Sequence, residues 1–432
     1  MDEVIRLTTL PNGLRVLTEH MPSVRTAAVG IYVGAGSRVE SAAQHGISHF
    51  LEHLFFKGTA TRTALEIAQA ADDIGGQMNA FTDREQTVFY IKVLSSHLDQ
   101  ALEIYADMLL HSTLADEAIE RERQVITEEI KSYEDSPDEL VQDLFAQTVW
   151  NGHPLGRPVI GTLATVGQLT RAHFVDFIDR HYRPDNTVMA VAGDVEHDEV
   201  VDTAARHFGS WTGRATVAPD AVPVSAPGIA TRLKETEQVH LCLGTEGLPQ
   251  ASEQQYALAV LDNILGGGLS SRLFQKIREQ RGLVYTITSY ASSYRDGGLV
   301  VIYAGMSPEA GPEVVTLTLR ELERIVRDPV ADAELQRAKE SLKANLMLSL
   351  ESTSSRMSKL ARGEIYYGRQ IGLDEIVGRI DAVSAADVQA LAARFFRPEC
   401  LAMAAIGPFR GDGTLADGMR RAFERHLELT RS

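Results

Sequence analysis

Residues Gly46-Ile47-Ser48-His49-Phe50-Leu51-Glu52-His53-Leu54-Phe55-Phe56-Lys57-Gly58 set three polar side chains into a strongly apolar run. On a helix His49 and His53, four apart, project from one face, and Glu52 lies beside them. Phe50, Leu51, Leu54, Phe55 and Phe56 surround the trio with apolar surface. Polar groups held in so apolar a helix need partners, and a metal supplies them. Two imidazoles at this spacing can grip one zinc ion, and a carboxylate between them can take a proton from water. The order H-x-x-E-H reverses the commoner H-E-x-x-H.

The helix is expected from about Ala43 to Phe56, closed by Lys57-Gly58. Before it, Ile5 to Glu19 alternates around Pro11-Asn12-Gly13, a hairpin signal, and Thr26 to Val33 reads as a buried strand. After it come a helix at 63–74, strands at 77–81 and 86–93, and helices at 96–111 and 115–133. Pro137 breaks that run, and a further helix reaches about Trp150. Pro219, Pro223 and Pro227 make 215–230 the linker between a domain at 1–214 and another at 231–432.

The second domain reads as a copy of the first. Phe177-Ile178-Asp179-Arg180-His181-Tyr182-Arg183-Pro184 and Leu391-Ala392-Ala393-Arg394-Phe395-Phe396-Arg397-Pro398 each precede an apolar strand ending in glycine. Arg183 to Arg397 and Gly193 to Gly407 are both 214 residues apart, which points to an internal duplication. The same offset sets His49, Glu52 and His53 against Asn263, Gly266 and Gly267, so only the first copy carries metal-binding side chains.

A catalytic zinc site needs a third protein ligand and an open fourth position. The acid-rich helix Glu120-Arg121-Glu122-Arg123-Gln124-Val125-Ile126-Thr127-Glu128-Glu129-Ile130 offers one. Neighbouring Glu128 and Glu129 point about 100° apart, so one at most faces the site. With Val125, Ile126 and Ile130 taken as the inner face, Glu122 and Glu129 fall on it. Glu129 is then the expected ligand, and Glu122, two turns earlier, a carboxylate that orients the site.

With 432 residues, 44% apolar and 23% charged, the chain has a globular composition. Its net charge of −17 argues against nucleic-acid partners, which require a basic footprint. Cys242 and Cys400 are too few for a disulfide scaffold and are expected as buried free thiols. No signal-like N-terminus and no membrane-spanning apolar run is present, so the expected location is cytoplasmic.

Residues 46–59, Asn79-Ala80-Phe81-Thr82 and 120–130 together resemble the pitrilysin family of zinc peptidases, the inverzincins. The similarity is to the short-chain branch, which includes bacterial peptidases and the mitochondrial processing peptidase. The 75 residues between His53 and Glu129 fit the spacing of that family's third ligand. The resemblance implies an α+β fold of two homologous domains, each an antiparallel sheet covered by helices, arranged as a clamshell. It implies one Zn2+ per chain held by His49, His53 and Glu129, with Glu52 as general base and Glu122 as an acidic helper. Asn79, Ala80, Phe81 and Thr82 are expected to form an edge strand that pairs with extended peptides. Arg278 and Tyr285 resemble a family pair that binds substrate and steadies the oxyanion from an opposing domain or subunit. The implied function is a zinc endopeptidase acting on unstructured peptides or presequence-like segments, with the chain's acidity favouring basic ones. A homodimer is expected, the alternative being a heterodimer with a related non-catalytic subunit. The competing reading is a catalytically weak structural or peptide-binding subunit on the same fold.

Overall fold

Pro11, Asn12 and Gly13 set the first pair of strands. Gly13 takes φ +100°, a left-handed conformation open to glycine. The turn leaves β1 (Val4–Thr9) and β2 (Arg15–His20) antiparallel, with Thr9 opposite Arg15. The computed structural model describes residues 4–216, 221–409 and 414–431. In it, β3 (Thr26–Val33), β4 (Gln77–Thr82), β5 (Thr87–Leu94) and β6 (Thr187–Gly193) complete a six-stranded sheet ordered β1-β2-β6-β3-β5-β4. β6 and β3 are central and buried along nearly their whole length, while β4 ends the sheet.

A second, five-stranded sheet holds β7 (Gly228–Leu233), β8 (Val239–Glu246), β9 (Val284–Ser293), β10 (Gly298–Met306) and β11 (Ala402–Gly407), ordered β7-β11-β8-β10-β9. Setting β7 against β2, β11 against β6, β8 against β3, β10 against β5 and β9 against β4 reproduces the first sheet without β1. The duplication read from the 214-residue offset is therefore also a repeat of topology. The all-antiparallel expectation needs correction at one place in each sheet: β2–β6 and β7–β11 pair in parallel. Both pairs join strands separated by long helical excursions, and such a connection can return the chain in the parallel sense.

Among the helices around the two sheets are α1 (Ile47–Phe55), α2 (Asp116–Glu134), α3 (Pro137–Val149), α4 (Gln255–Leu265) and α5 (Thr353–Arg362). The chain divides into two compact units that are not continuous in sequence. One comprises Met1–Lys131, Pro158–Asp220 and Met347–Gly372, the other Ser132–Arg157, Ala221–Leu346 and Leu373–Ser432. The linear division expected at 214 and 231 is thus crossed twice. α3, from the first half, buries Val141, Phe145 and Val149 against Cys242, Val301 and Ile406 of the second sheet. α5, from the second half, buries Met357, Leu360 and Ala361 against Leu17, Tyr32 and Val188 of the first. Each sheet needs an apolar cover on that face, and a helix from the other repeat provides it. Of the expected linker, 217–220 lie outside the described residues, 221–227 carry no regular structure, and 228–230 already belong to β7. Among the described residues, no helix is long and apolar enough to cross a membrane. Cys242 is buried as expected, but Cys400 is partly exposed, because it sits in the short turn Pro398–Cys400 before β11.

Candidate metal centre

The core side of α1 fixes where its polar side can be. Ile47, Phe50, Leu51, Leu54 and Phe55 are all buried. Phe50 meets the Phe174 ring at 4.9 Å, and Phe55 meets Phe89 edge-on at 5.4 Å. Burying each such side chain contributes about 2 kcal/mol, so the apolar face holds the helix and the opposite face is left for chemistry. The helix starts at Ile47, later than the expected Ala43, because Gly46 takes φ +94° and crosses Gly161 closely. A Cβ on Gly46 would stand 2.9 Å from the Gly161 Cα. The buried helix N-terminus is capped from a distance: buried Glu40 accepts the Gly46 N–H at 2.8 Å and the Ser48 N–H at 2.9 Å. A carboxylate there also meets the positive end of the helix dipole. Glu40→Ala is expected to cost about 2–3 kcal/mol of stability, read as a lowered thermal midpoint; an unchanged midpoint would refute the capping role.

His49 and His53 emerge on the open face with ring centroids 4.7 Å apart. α2 brings Glu129 to them. Its Oε2 lies 3.8 Å from His49 Nε2 and 3.6 Å from His53 Nε2. Ligand atoms on a tetrahedral zinc stand about 3.4 Å apart, and the two distances from Glu129 to the histidines come close to that spacing. They form a cluster whose candidate ligand atoms all lie within 4.8 Å of one another. Burial, then the neighbouring His53, pushes His49 down to about 3. Its ring is therefore neutral at ordinary pH, as ligation requires.

The face of α2 corrects one expectation. Val125 is 48% exposed, while Ile119, Glu122, Ile126 and Ile130 are buried. At about 100° per residue, Ile126 sits roughly 40° to one side of Glu122, with Glu129 about 20° and Val125 about 60° to the other. Glu129 is at the margin of the buried stripe, where it can face the histidines and still be reached from outside. Glu128 points away and pairs with Lys131 at 2.6 Å. Glu122 Oε2 lies 3.3 Å from His53 Nδ1. A carboxylate can only accept, so that nitrogen carries the proton and Nε2 keeps its lone pair toward Glu129. The other Glu122 oxygen pairs with Lys57 Nζ at 2.9 Å. Sequence reasoning passed over Lys57, for which the only signal was its place just past the helix end.

Glu52 is the third polar residue of α1. Its Oε2 accepts a 2.6 Å hydrogen bond from the Thr82 hydroxyl. Burial raises the Glu52 carboxyl above its ordinary range; Thr82 and His53 pull it back and Glu129 adds to the rise. A carboxylate with heightened proton affinity suits a general base. Thr82 was expected on the substrate strand, and it does end β4, but its hydroxyl is committed to Glu52. Of its companions, Asn79 and Phe81 are exposed and Ala80 is half-buried against the core. Asn79 Oδ1 accepts the Ala80 N–H at 2.8 Å, and Phe81 meets the Tyr90 ring at 6.1 Å. Among the described residues β4 pairs only with β5, which leaves its other edge without a strand.

Arg278 and Tyr285 lie in the second unit. Arg278 is part of a π-helical turn, Phe274–Glu279, a rare geometry that recurs at functional sites. Its Nε donates to the Tyr285 carbonyl at 2.9 Å and its guanidinium covers the Phe274 ring at 4.7 Å. The Tyr285 side chain, on the terminal strand β9, is 77% exposed. In the same unit the counterparts of the histidine helix fall at the end of α4: Asn263 is within it, and Gly266 and Gly267 follow it.

Residues 15–163 match the insulinase family, peptidase family M16, and residues 168–342 match the peptidase M16 inactive domain. An uncharacterized zinc protease of Bacillus subtilis is 42% identical over 405 residues, covering 94% of this chain and 98% of its own. One from Mycobacterium leprae is 42% identical over 418 residues, covering 96% and 94%. Among solved structures, a protease from Helicobacter pylori superposes with a TM-score of 0.87 at 26% identity, covering 94% of this chain and all of that one (100%).

Proposed function

Since this chain belongs to peptidase family M16, whose members use zinc, we propose that it is a zinc-dependent endopeptidase acting on unstructured peptides or presequence-like segments. The observation that carries this reading is the joint placement of His49, His53 and Glu129 around one point, with Glu52 beside them. In it His49, His53 and Glu129 hold the metal. Zinc held there would lower the pKa of a bound water to about 7 and polarise a carbonyl. Glu52, steadied through one oxygen by Thr82, accepts the proton of the attacking water with the other and returns it to the leaving amine. Glu122 keeps the His53 ring oriented. The open edge of β4 offers backbone groups to an extended peptide, with Asn79, Ala80 and Phe81 alongside. Arg278 and Tyr285 contact bound peptide, and Tyr285 steadies the developing oxyanion.

The proposal includes a homodimer rather than a heterodimer with a silent relative, and a cytoplasmic location. Both cysteines are unpaired, as is usual where thiols stay reduced. Its test is zinc content by elemental analysis together with hydrolysis of Lys/Arg-rich and Glu-rich unstructured peptides, with and without chelator. Stoichiometric zinc and chelator-sensitive internal cleavage are expected, faster on the basic peptides at low salt. Zinc without turnover would favour the silent, peptide-binding reading. Equal rates on both peptides would remove the charge preference. Mixing inactive Arg278→Ala and Glu52→Gln chains should restore some activity if sites are shared in a dimer, and none if each chain works alone.

A further inference from the structure

The metal centre leans on one histidine more than the other. Among the described residues, His49 Nδ1 is buried without a hydrogen-bond partner, so no carboxylate holds that side of the ring. His53 Nδ1, by contrast, is held by Glu122, and Glu122 is nearly buried, with a side chain only 8% exposed. A carboxylate anchored through one oxygen can swing about its terminal bonds; one anchored through both has a fixed direction. The second anchor is Lys57 Nζ, 2.9 Å from Glu122 Oε1.

The position of Lys57 is set by α1 itself. The helix closes at Phe56, and the Lys57 N–H bonds to the Leu54 carbonyl at 3.0 Å. A cation just past a helix C-terminus is favoured by the dipole, and from there the stem reaches α2 at Glu122. The Lys57 side chain stays 35% exposed, so it joins solvent to the buried pair instead of adding a second buried ion.

We propose that Lys57 is a positioning residue for the metal: it locks the Glu122 carboxylate so that His53 presents Nε2 toward Glu129. This rests on the zinc reading of the site and adds a residue to it. Partners behind a ligating histidine commonly carry 10–100-fold of metal affinity. A lysine that only offsets buried charge would shift thermal stability and leave zinc affinity alone.

The test measures zinc affinity and release of the purified full chain by competition with a chromogenic chelator. Lys57→Met should weaken zinc binding about tenfold and speed its release, while Lys57→Arg keeps most of the affinity. Glu122→Gln should weaken binding similarly, and adding Lys57→Met to it should change nothing further, because the lysine acts through that carboxylate. Should Lys57→Met fold poorly, as judged by circular dichroism of the metal-free chain, the Lys57→Arg and Lys57→Gln pair gives the same comparison. Wild-type affinity in Lys57→Met or Lys57→Gln, or additive losses in the double variant, would overturn the inference and leave the zinc reading standing. A wild-type chain that takes up no zinc overturns both.

Discussion

Glu52→Gln is expected to lower peptide turnover by about a thousandfold while zinc content stays at the wild-type level. The magnitude is that of a lost general base, and the separation of the two readouts comes from geometry. Glu52 is not among the three groups that converge as ligands, and its one described hydrogen bond goes to Thr82. Glutamine fills the same space and its amide oxygen can still accept from the Thr82 hydroxyl, so neither α1 nor β4 has cause to move. What disappears is a group able to take a proton. Turnover of defined peptides by mass spectrometry, with zinc measured on the same preparation, checks both halves. Hydrolysis near the wild-type rate would remove Glu52 from the chemistry, and zinc loss would make it structural.

Glu129→Ala should abolish zinc retention on dialysis and bring activity down with it, whereas Glu128→Ala should leave both nearly intact. The two carboxylates are chain neighbours, so composition and local charge change equally in the two variants. Only direction differs. Glu129 Oε2 stands within 4 Å of both histidine Nε2 atoms, while Glu128 pairs on the surface with Lys131, a contact worth at most about 1 kcal/mol. Without Glu129, two histidines remain, one short of the three protein ligands a catalytic zinc site employs. Metal loss from the Glu128 variant, or tight zinc in the Glu129 variant, would reassign the third ligand.

Much of this molecule is readable from local pattern. The four-residue step from His49 to His53 and the apolar residues around them imply a helix with one core face and one polar face, whatever it packs against. Pro11-Asn12-Gly13 marks a hairpin because only a few residue types accept its backbone angles. The helix start at Ile47 was hidden, since it depends on Gly46 crossing Gly161, far away in sequence. Val125 looked inward by composition, and only the facing of α2 in the core shows that it points out.

The sequence by itself determined which side chains share a helix face, where turns fall, and that the second repeat lacks metal-binding groups, because each depends on backbone geometry within a few residues or on simple identity of type. Tertiary structure alone decided the rest. It turned Thr82 onto Glu52, placed Lys57 behind Glu122, and gave α3 and α5 to sheets of the other repeat. These are contacts between segments far apart in the chain, and they are selected by burial and pairing summed over the whole core. No local periodicity encodes such a sum.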